Sequence, residues 1–115
     1  MHEVTMALSV IQIAWETAKA NHLKQIYKII IRRGALSGIL EDAFLFAFES
    51  LKDENSELLK MTEIEFNHLE ADAVCLSCQQ QFKLERYKKA CPYCGGKELH
   101  YSSVYDFFVE SIEGE

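Results

Sequence analysis

The chain has 115 residues, 49% of them apolar, and a formal net charge of −6. That supports one domain, or one small domain with a metal-stapled module attached, and excludes a disordered tail. No apolar run approaches the ~18–20 residues of a membrane span. The start, Met1-His2-Glu3, lacks the basic stretch and small-residue cleavage site of a signal peptide, so a soluble, cytoplasmic protein is expected. An acidic surface repels phosphate backbones. The short basic clusters Lys28, Arg32, Arg33 and Lys83, Arg86, Lys88, Lys89 are interrupted, so no nucleic-acid partner is expected.

The first predicted element is a helix over 4–20. Val4, Ala7, Leu8, Ile11, Ala14, Trp15 and Ala18 recur at three- and four-residue spacing, and Met6, Val10 and Ile13 widen the apolar face. So wide a face predicts a helix largely covered by the rest of the fold, with Trp15 in the core. Asn21-His22 ends it, His22 serving as a cap or a solvated side chain. Residues 26–33 are a β-branched run of strand length, with Ile29 and Ile31 on one face and Lys28, Ile30 and Arg32 on the other.

Gly34 and Gly38 punctuate a loop. A second helix follows over about 40–53, its stripe Leu40, Phe44, Ala47, Phe48 and Leu51, with Glu41-Asp42 where the helix dipole favours acids. Alternation of Ile64 and Phe66 with Glu63, Glu65 and Asn67 predicts a strand over 62–69. A cysteine segment fills 70–100, and a last strand fits 104–112. The order implies two helices on one face of a small three-stranded sheet, with the cysteine module inserted on a two-stranded neck near 68–74 and 98–104.

Cys75, Cys78, Cys91 and Cys94 form two Cys-x2-Cys pairs separated by twelve residues, the spacing of a zinc ribbon or double knuckle. Two cysteines three apart on a tight turn aim both sulfurs at one ion, and two such turns complete a tetrahedron. Gly95, just after the second pair, permits the positive φ that the knuckle needs. Disulfides are disfavoured in a cytosolic chain, and neither pair opens a helix as a redox motif would. Rubredoxin-like iron uses a similar tetrahedron, but zinc is the preferred ion. Four thiolates leave no open position, so this metal is structural.

At the amino terminus, a free amine, the His2 imidazole and the first backbone amides lie in one short stretch. Ni²⁺ and Cu²⁺ favour square-planar or tetragonal nitrogen sites, and first-turn amides have no intrahelical acceptor. The stretch is chemically competent to bind such an ion, although a histidine at position 2 is also common by chance. His68 and His100 flank the cysteine module, and either could approach a metal, although four thiolates already satisfy zinc.

Taken together, Met1-His2-Glu3, Gly34-Ala35-Leu36-Ser37-Gly38, Phe46-Ala47-Phe48-Glu49, the cysteine quartet and the closing Ser111-Ile112-Glu113 resemble the HypA/HybF hydrogenase maturation proteins, which are nickel metallochaperones. The resemblance spans essentially the whole chain. It implies an α+β nickel-binding domain of two helices on a three-stranded sheet, with an inserted zinc-ribbon-like module. It implies Ni(II) held as cargo by the Met1 amine, the His2 imidazole and the backbone nitrogens of His2 and Glu3. It also implies structural Zn(II) on Cys75, Cys78, Cys91 and Cys94. The partners implied are a HypB-type GTPase and the [NiFe]-hydrogenase large-subunit precursor, with urease maturation proteins as further clients of some members. The chain departs from the family in lacking the long insertion of some archaeal members, and in Tyr105-Asp106-Phe107-Phe108, where fewer aromatics are usual.

The resulting expectation is a non-enzymatic nickel metallochaperone. Residues 1–69 plus 101–115 form the nickel-binding domain and residues 70–100 the structural zinc domain. No nucleophile–base pair, paired-carboxylate site or phosphate loop is visible. The rival reading is a zinc-ribbon interaction module in transcription or RNA processing, against which the acidic charge argues.

Overall fold

The computed structural model describes residues 2–52, 57–69, 72–83, 90–101 and 105–115. Its elements run α1 (Glu3–Asn21), β1 (Ile26–Arg33), α2 (Glu41–Lys52), β2 (Glu63–His68), β3 (Asp72–Cys75), β4 (Gln81–Lys83), β5 (Leu99–Tyr101) and β6 (Phe107–Gly114). They build two three-stranded sheets, ordered β2-β1-β6 and β4-β3-β5. The chain divides into two compact units, one of residues 1–31, 38–67 and 108–115, the other of 32–37 and 68–107. The fold is α+β, with two helices, small sheets and a four-cysteine module.

In the first unit the core is contributed by Ala7, Val10, Ile11, Ala14 and Ala18 of α1, Phe44, Ala47 and Phe48 of α2, and Ile26, Ile29 and Ile31 of β1. Fully burying each large apolar side chain contributes roughly 1.5–3 kcal/mol. Phe44 stacks on Phe48 with centroids 6.4 Å apart and meets Phe66 of β2 edge-on at 5.9 Å. The end of α1 is set by His22, whose left-handed backbone (φ 55) lets its N–H and that of Leu23 donate to the Ala18 carbonyl.

Three expectations need correction. The first helix is not covered all round. Its buried apolar arc is narrow, and Val4, Leu8, Ile13 and Trp15 are 55%, 51%, 40% and 44% exposed. Sequence spacing placed Trp15 on the stripe, but only one side of that stripe is buried, the side that carries Ala7, Ile11, Ala14 and Ala18. Leu40 is likewise 64% exposed, because it precedes the helix and presents its carbonyl to the Phe44 N–H. The last strand starts at Phe107, after a turn at Tyr105, and extends to Gly114; residue 104 lies outside the described residues. Its extension is a backbone effect that side-chain alternation does not show. The Glu115 N–H donates to the Gln25 carbonyl at 2.9 Å, and the Lys24 and Gln25 N–H groups donate to the Glu115 carbonyl at 2.7 and 3.0 Å. Gly114 fits there because a Cβ would stand 2.3 Å from the Gln25 carbonyl oxygen.

In the second unit β3 is the central strand. It pairs antiparallel with β5 (Val74 opposite His100, Cys75 opposite Leu99), which is the neck the sequence suggests. The remainder of that neck, at 70–71 and 102–104, lies outside the described residues. On its other side β3 pairs with β4 (Ala73 opposite Phe82), a three-residue strand too short to leave a period in the sequence.

Candidate metal centre

Two turns of the same construction carry the cysteines. In the first, the Cys75 N–H donates to the Gln80 carbonyl at 3.0 Å and the Gln79 N–H to the Cys75 carbonyl at 2.8 Å. In the second, the Cys91 N–H donates to the Gly96 carbonyl at 2.8 Å and the Gly95 N–H to the Cys91 carbonyl at 2.9 Å. The residue after each second cysteine is left-handed: Gly95 has φ 76, as its position predicts, and Gln79 has φ 64. No sequence signal marks Gln79, because glutamine seldom takes that conformation.

The four Sγ atoms lie within 4.8 Å of one another, and no other such group of three or more potential ligands occurs among the described residues. Cys75 and Cys94 are 3.5 Å apart and Cys78 and Cys91 3.6 Å, all as free thiols. A tetrahedron with Zn–S bonds of ~2.3 Å needs sulfurs about 3.8 Å apart, so the cluster is the right size. Backbone N–H groups already point at sulfur: Cys78 to Cys75 at 3.5 Å, Tyr93 to Cys91 at 3.3 Å, Gly96 to Cys94 at 3.4 Å. The donor set fits zinc.

Electrostatics within the metal-free cluster point the same way. The Cys78 N–H holds the Cys75 thiol down at about 6, against the opposing effect of burial. Cys78 receives a lowering hydrogen bond from the Gln80 N–H, but burial and the neighbouring sulfurs of Cys91, Cys75 and Cys94 push it up to about 12. Cys91 is lowered despite its burial, by the N–H groups of Cys94 and Tyr93. Cys94 is raised although the Gly96 N–H lowers it, chiefly by the Cys75 sulfur. Four thiolates cannot coexist so close together without a cation. A divalent ion removes that conflict.

At the other predicted site, His2 is the N-cap of α1. Its carbonyl accepts the Met6 N–H at 2.8 Å, while its exposed imidazole makes no capping bond. Glu3 opens the helix and is 8% exposed. Met1 lies outside the described residues. His68 ends β2 and His100 lies on β5, both exposed, and neither joins a cluster of three potential ligands among the described residues.

A family model described as hydrogenase/urease nickel incorporation metallochaperone, HypA, matches residues 1–114. The chain belongs to the HypA family. The hydrogenase maturation factor HypA of Francisella philomiragia is 35% identical over 112 residues, covering 97% of each chain. That of Psychromonas ingrahamii is 31% identical over 115 residues, covering 100% of this chain and 99% of the relative. Among solved structures, the nickel metallochaperone HypA from Helicobacter pylori superimposes with a TM-score of 0.68 at 24% identity, over 99% of this chain and 97% of that one. A second HypA solution structure gives 0.71 at 24% identity, over 100% and 97%. Both structures share the HypA fold, and membership places the chain among nickel metallochaperones of hydrogenase maturation. Among the described residues, no helix is long and apolar enough to cross a membrane.

Proposed function

We propose that the chain binds Ni(II) at its amino terminus and hands it on by protein contact, while a structural zinc ion holds the cysteine module together. The Met1 amine, the His2 imidazole and the backbone nitrogens of His2 and Glu3 form the nickel site. Cys75, Cys78, Cys91 and Cys94 hold the zinc, which supplies cross-linking and no reaction chemistry. Residues 1–69 with 101–115 act as the nickel-binding domain and 70–100 as the zinc domain. The protein works in the cytoplasm, with no catalytic step of its own. It passes nickel towards the [NiFe]-hydrogenase large-subunit precursor through a HypB-type GTPase. The observation that carries this reading is the family match over residues 1–114, which contains both the amino-terminal motif and the cysteine quartet. In support, the His2 imidazole is not spent on capping α1.

The test is a nickel titration with zinc counted in parallel. The parent chain should bind nickel and one zinc. His2→Ala, and a chain extended by one residue before Met1, should lose nickel and keep zinc. Nickel binding untouched by both changes would refute the amino-terminal site. Protons compete with nickel for an imidazole and an amine, so affinity should also fall as pH drops from about 8 to 6.

A further inference from the structure

The four sulfurs of the metal centre are not equally shielded. Cys75 and Cys91 are buried, Cys78 is half-buried, and Cys94 is exposed. The gap in the cover lies at Gly96. A Cβ there would stand 3.3 Å from the Cys94 Sγ, 3.5 Å from the Cys75 Sγ and 3.3 Å from the Ser77 Oγ. With only hydrogen in its place, that flank of the Cys75–Cys94 sulfur pair is bare. Gly95 of the same turn has a positive φ and Gly96 does not. What glycine contributes at 96 is therefore the missing side chain, not a special backbone.

The sulfurs are also placed to pair between the two turns. Cys75 and Cys94 are 3.5 Å apart, and Cys78 and Cys91 are 3.6 Å apart. Bridges between them would join residues 19 and 13 apart in the sequence, tying one turn to the other as the metal does. A bridge within a turn, such as Cys75 to Cys78, joins residues 3 apart and leaves the turns unconnected. Closing the longer loops also restrains the unfolded chain more. All four cysteines of the chain belong to this cluster, so the first unit contains no thiol. Disulfides that do form in a reducing compartment are mostly transient and redox-sensing.

We propose that the cysteine module is a peroxide-sensitive zinc switch, with Cys94 the sulfur attacked first and Cys75 its resolving partner. This rests on the quartet holding zinc, as read above. The Cys94 thiolate attacks one peroxide oxygen, the O–O bond breaks and hydroxide leaves, giving a sulfenic acid. The Cys75 thiolate then attacks that sulfur. The S–O bond breaks, a second hydroxide leaves and the disulfide forms. Two thiolates have lost two electrons, and one peroxide has become two hydroxides. A disulfide no longer ligates the ion, so zinc is released, and Cys78 and Cys91 pair by the same step with a second peroxide. The module exchanges a metal staple for a covalent one, and a dithiol reductant with zinc reverses the exchange.

The experiment treats the zinc-loaded full chain with hydrogen peroxide. Zinc release is followed with a chromogenic chelator, bridges by peptide mass mapping, and folding by hydrogen exchange. About two peroxides should be consumed per zinc released. A limiting dose should give Cys75–Cys94 before Cys78–Cys91. The fully oxidised chain should keep exchange protection in 72–83 and 90–101, with α1 and α2 unchanged. Dithiothreitol with added zinc should restore the starting chain. Gly96→Ala keeps every ligand and covers the gap, so it should slow release at least about threefold, with parental zinc content and exchange protection. Where the alanine itself weakens zinc retention, the order of the bridges in the parent decides. Bridges within a turn, sulfinic acid at Cys94 without a bridge, Cys78–Cys91 forming first, or parental release from an intact Gly96→Ala would each overturn the proposal. Zinc held throughout the treatment would overturn it and leave the structural site standing, whereas a chain that never binds zinc would overturn both.

Discussion

Gln79 and Gly95 occupy equivalent places in the two cysteine turns, both with a left-handed backbone. A Cβ at Gly95 meets nothing within 4 Å, so Gly95→Ala suffers only from its backbone. That cost is about 1–2 kcal/mol, and zinc competition with a chelator should show retention weakened by roughly fivefold or more. At Gln79 two effects oppose. Glycine would relieve the left-handed strain, but its extra unfolded-state freedom costs about 0.5–1 kcal/mol. Gln79→Gly should therefore change zinc retention little, and a large loss would mean that the glutamine side chain itself supports the turn. Glycine at position 95 was legible in the sequence because its chemistry matches the turn. The matching conformation at 79 was not, because only the closing hydrogen bonds from Gln79 to Cys75 and from Cys75 to Gln80 impose it.

Between elements, the instructive residue is Lys52 at the end of α2. Charged residues read as solvated in a sequence, yet this lysine is 6% exposed. Its Nζ donates to the Thr62 carbonyl at 3.3 Å, pairs with Glu49 and lies 5.7 Å from the Phe48 ring centroid. Thr62 in turn donates its hydroxyl to the Ile26 carbonyl at 2.5 Å, so the Lys52 and Thr62 side chains together link α2 to the start of β1. Lys52→Met keeps the apolar stem and strands the buried carbonyl. It should lower stability by about 1–3 kcal/mol, read as a shifted midpoint in urea; an unmoved midpoint would show the carbonyl finds another donor. The same limit explains the misreading of α1. Three- and four-residue spacing says that a face is apolar, not what covers it. Ala7 and Ala14 are fully buried while Val4, Leu8 and Trp15, equally periodic, remain out. The elements themselves were legible from period and punctuation. The strand β4 and the two added residues of β6 depend on backbone pairing between distant segments, which no local pattern records.

For the whole molecule, the decisive property is that the metal centre belongs to the second unit while the amino-terminal motif belongs to the first. The second unit's strands β4 and β5 have three residues each, and its buried apolar side chains are few, Ala73, Cys75 and Cys91 among the described residues. So small a core depends on a staple. Removing zinc, or substituting Cys75→Ala, should abolish hydrogen-exchange protection in 72–83 and 90–101 and leave that of α1 and α2 in place. The thiol chemistry makes this proton-linked in a countable way. Without metal near neutral pH, Cys75, held at about 6, is largely ionised, whereas Cys78, at about 12, and Cys94, also raised, keep their protons. Zinc takes all four as thiolates. Binding at pH 7 should therefore release at least about two protons and fewer than four, since Cys75 has already lost its own. The sign follows: acid restores protons to the ligands, so zinc affinity rises with pH and is lost steeply as pH falls through about 6, where Cys75 too becomes protonated. Calorimetric titration of the metal-free chain in buffers of different ionisation enthalpy counts those protons. Release of four would show that no thiol is ionised in advance, and release of none would remove the cysteine cluster as the zinc site.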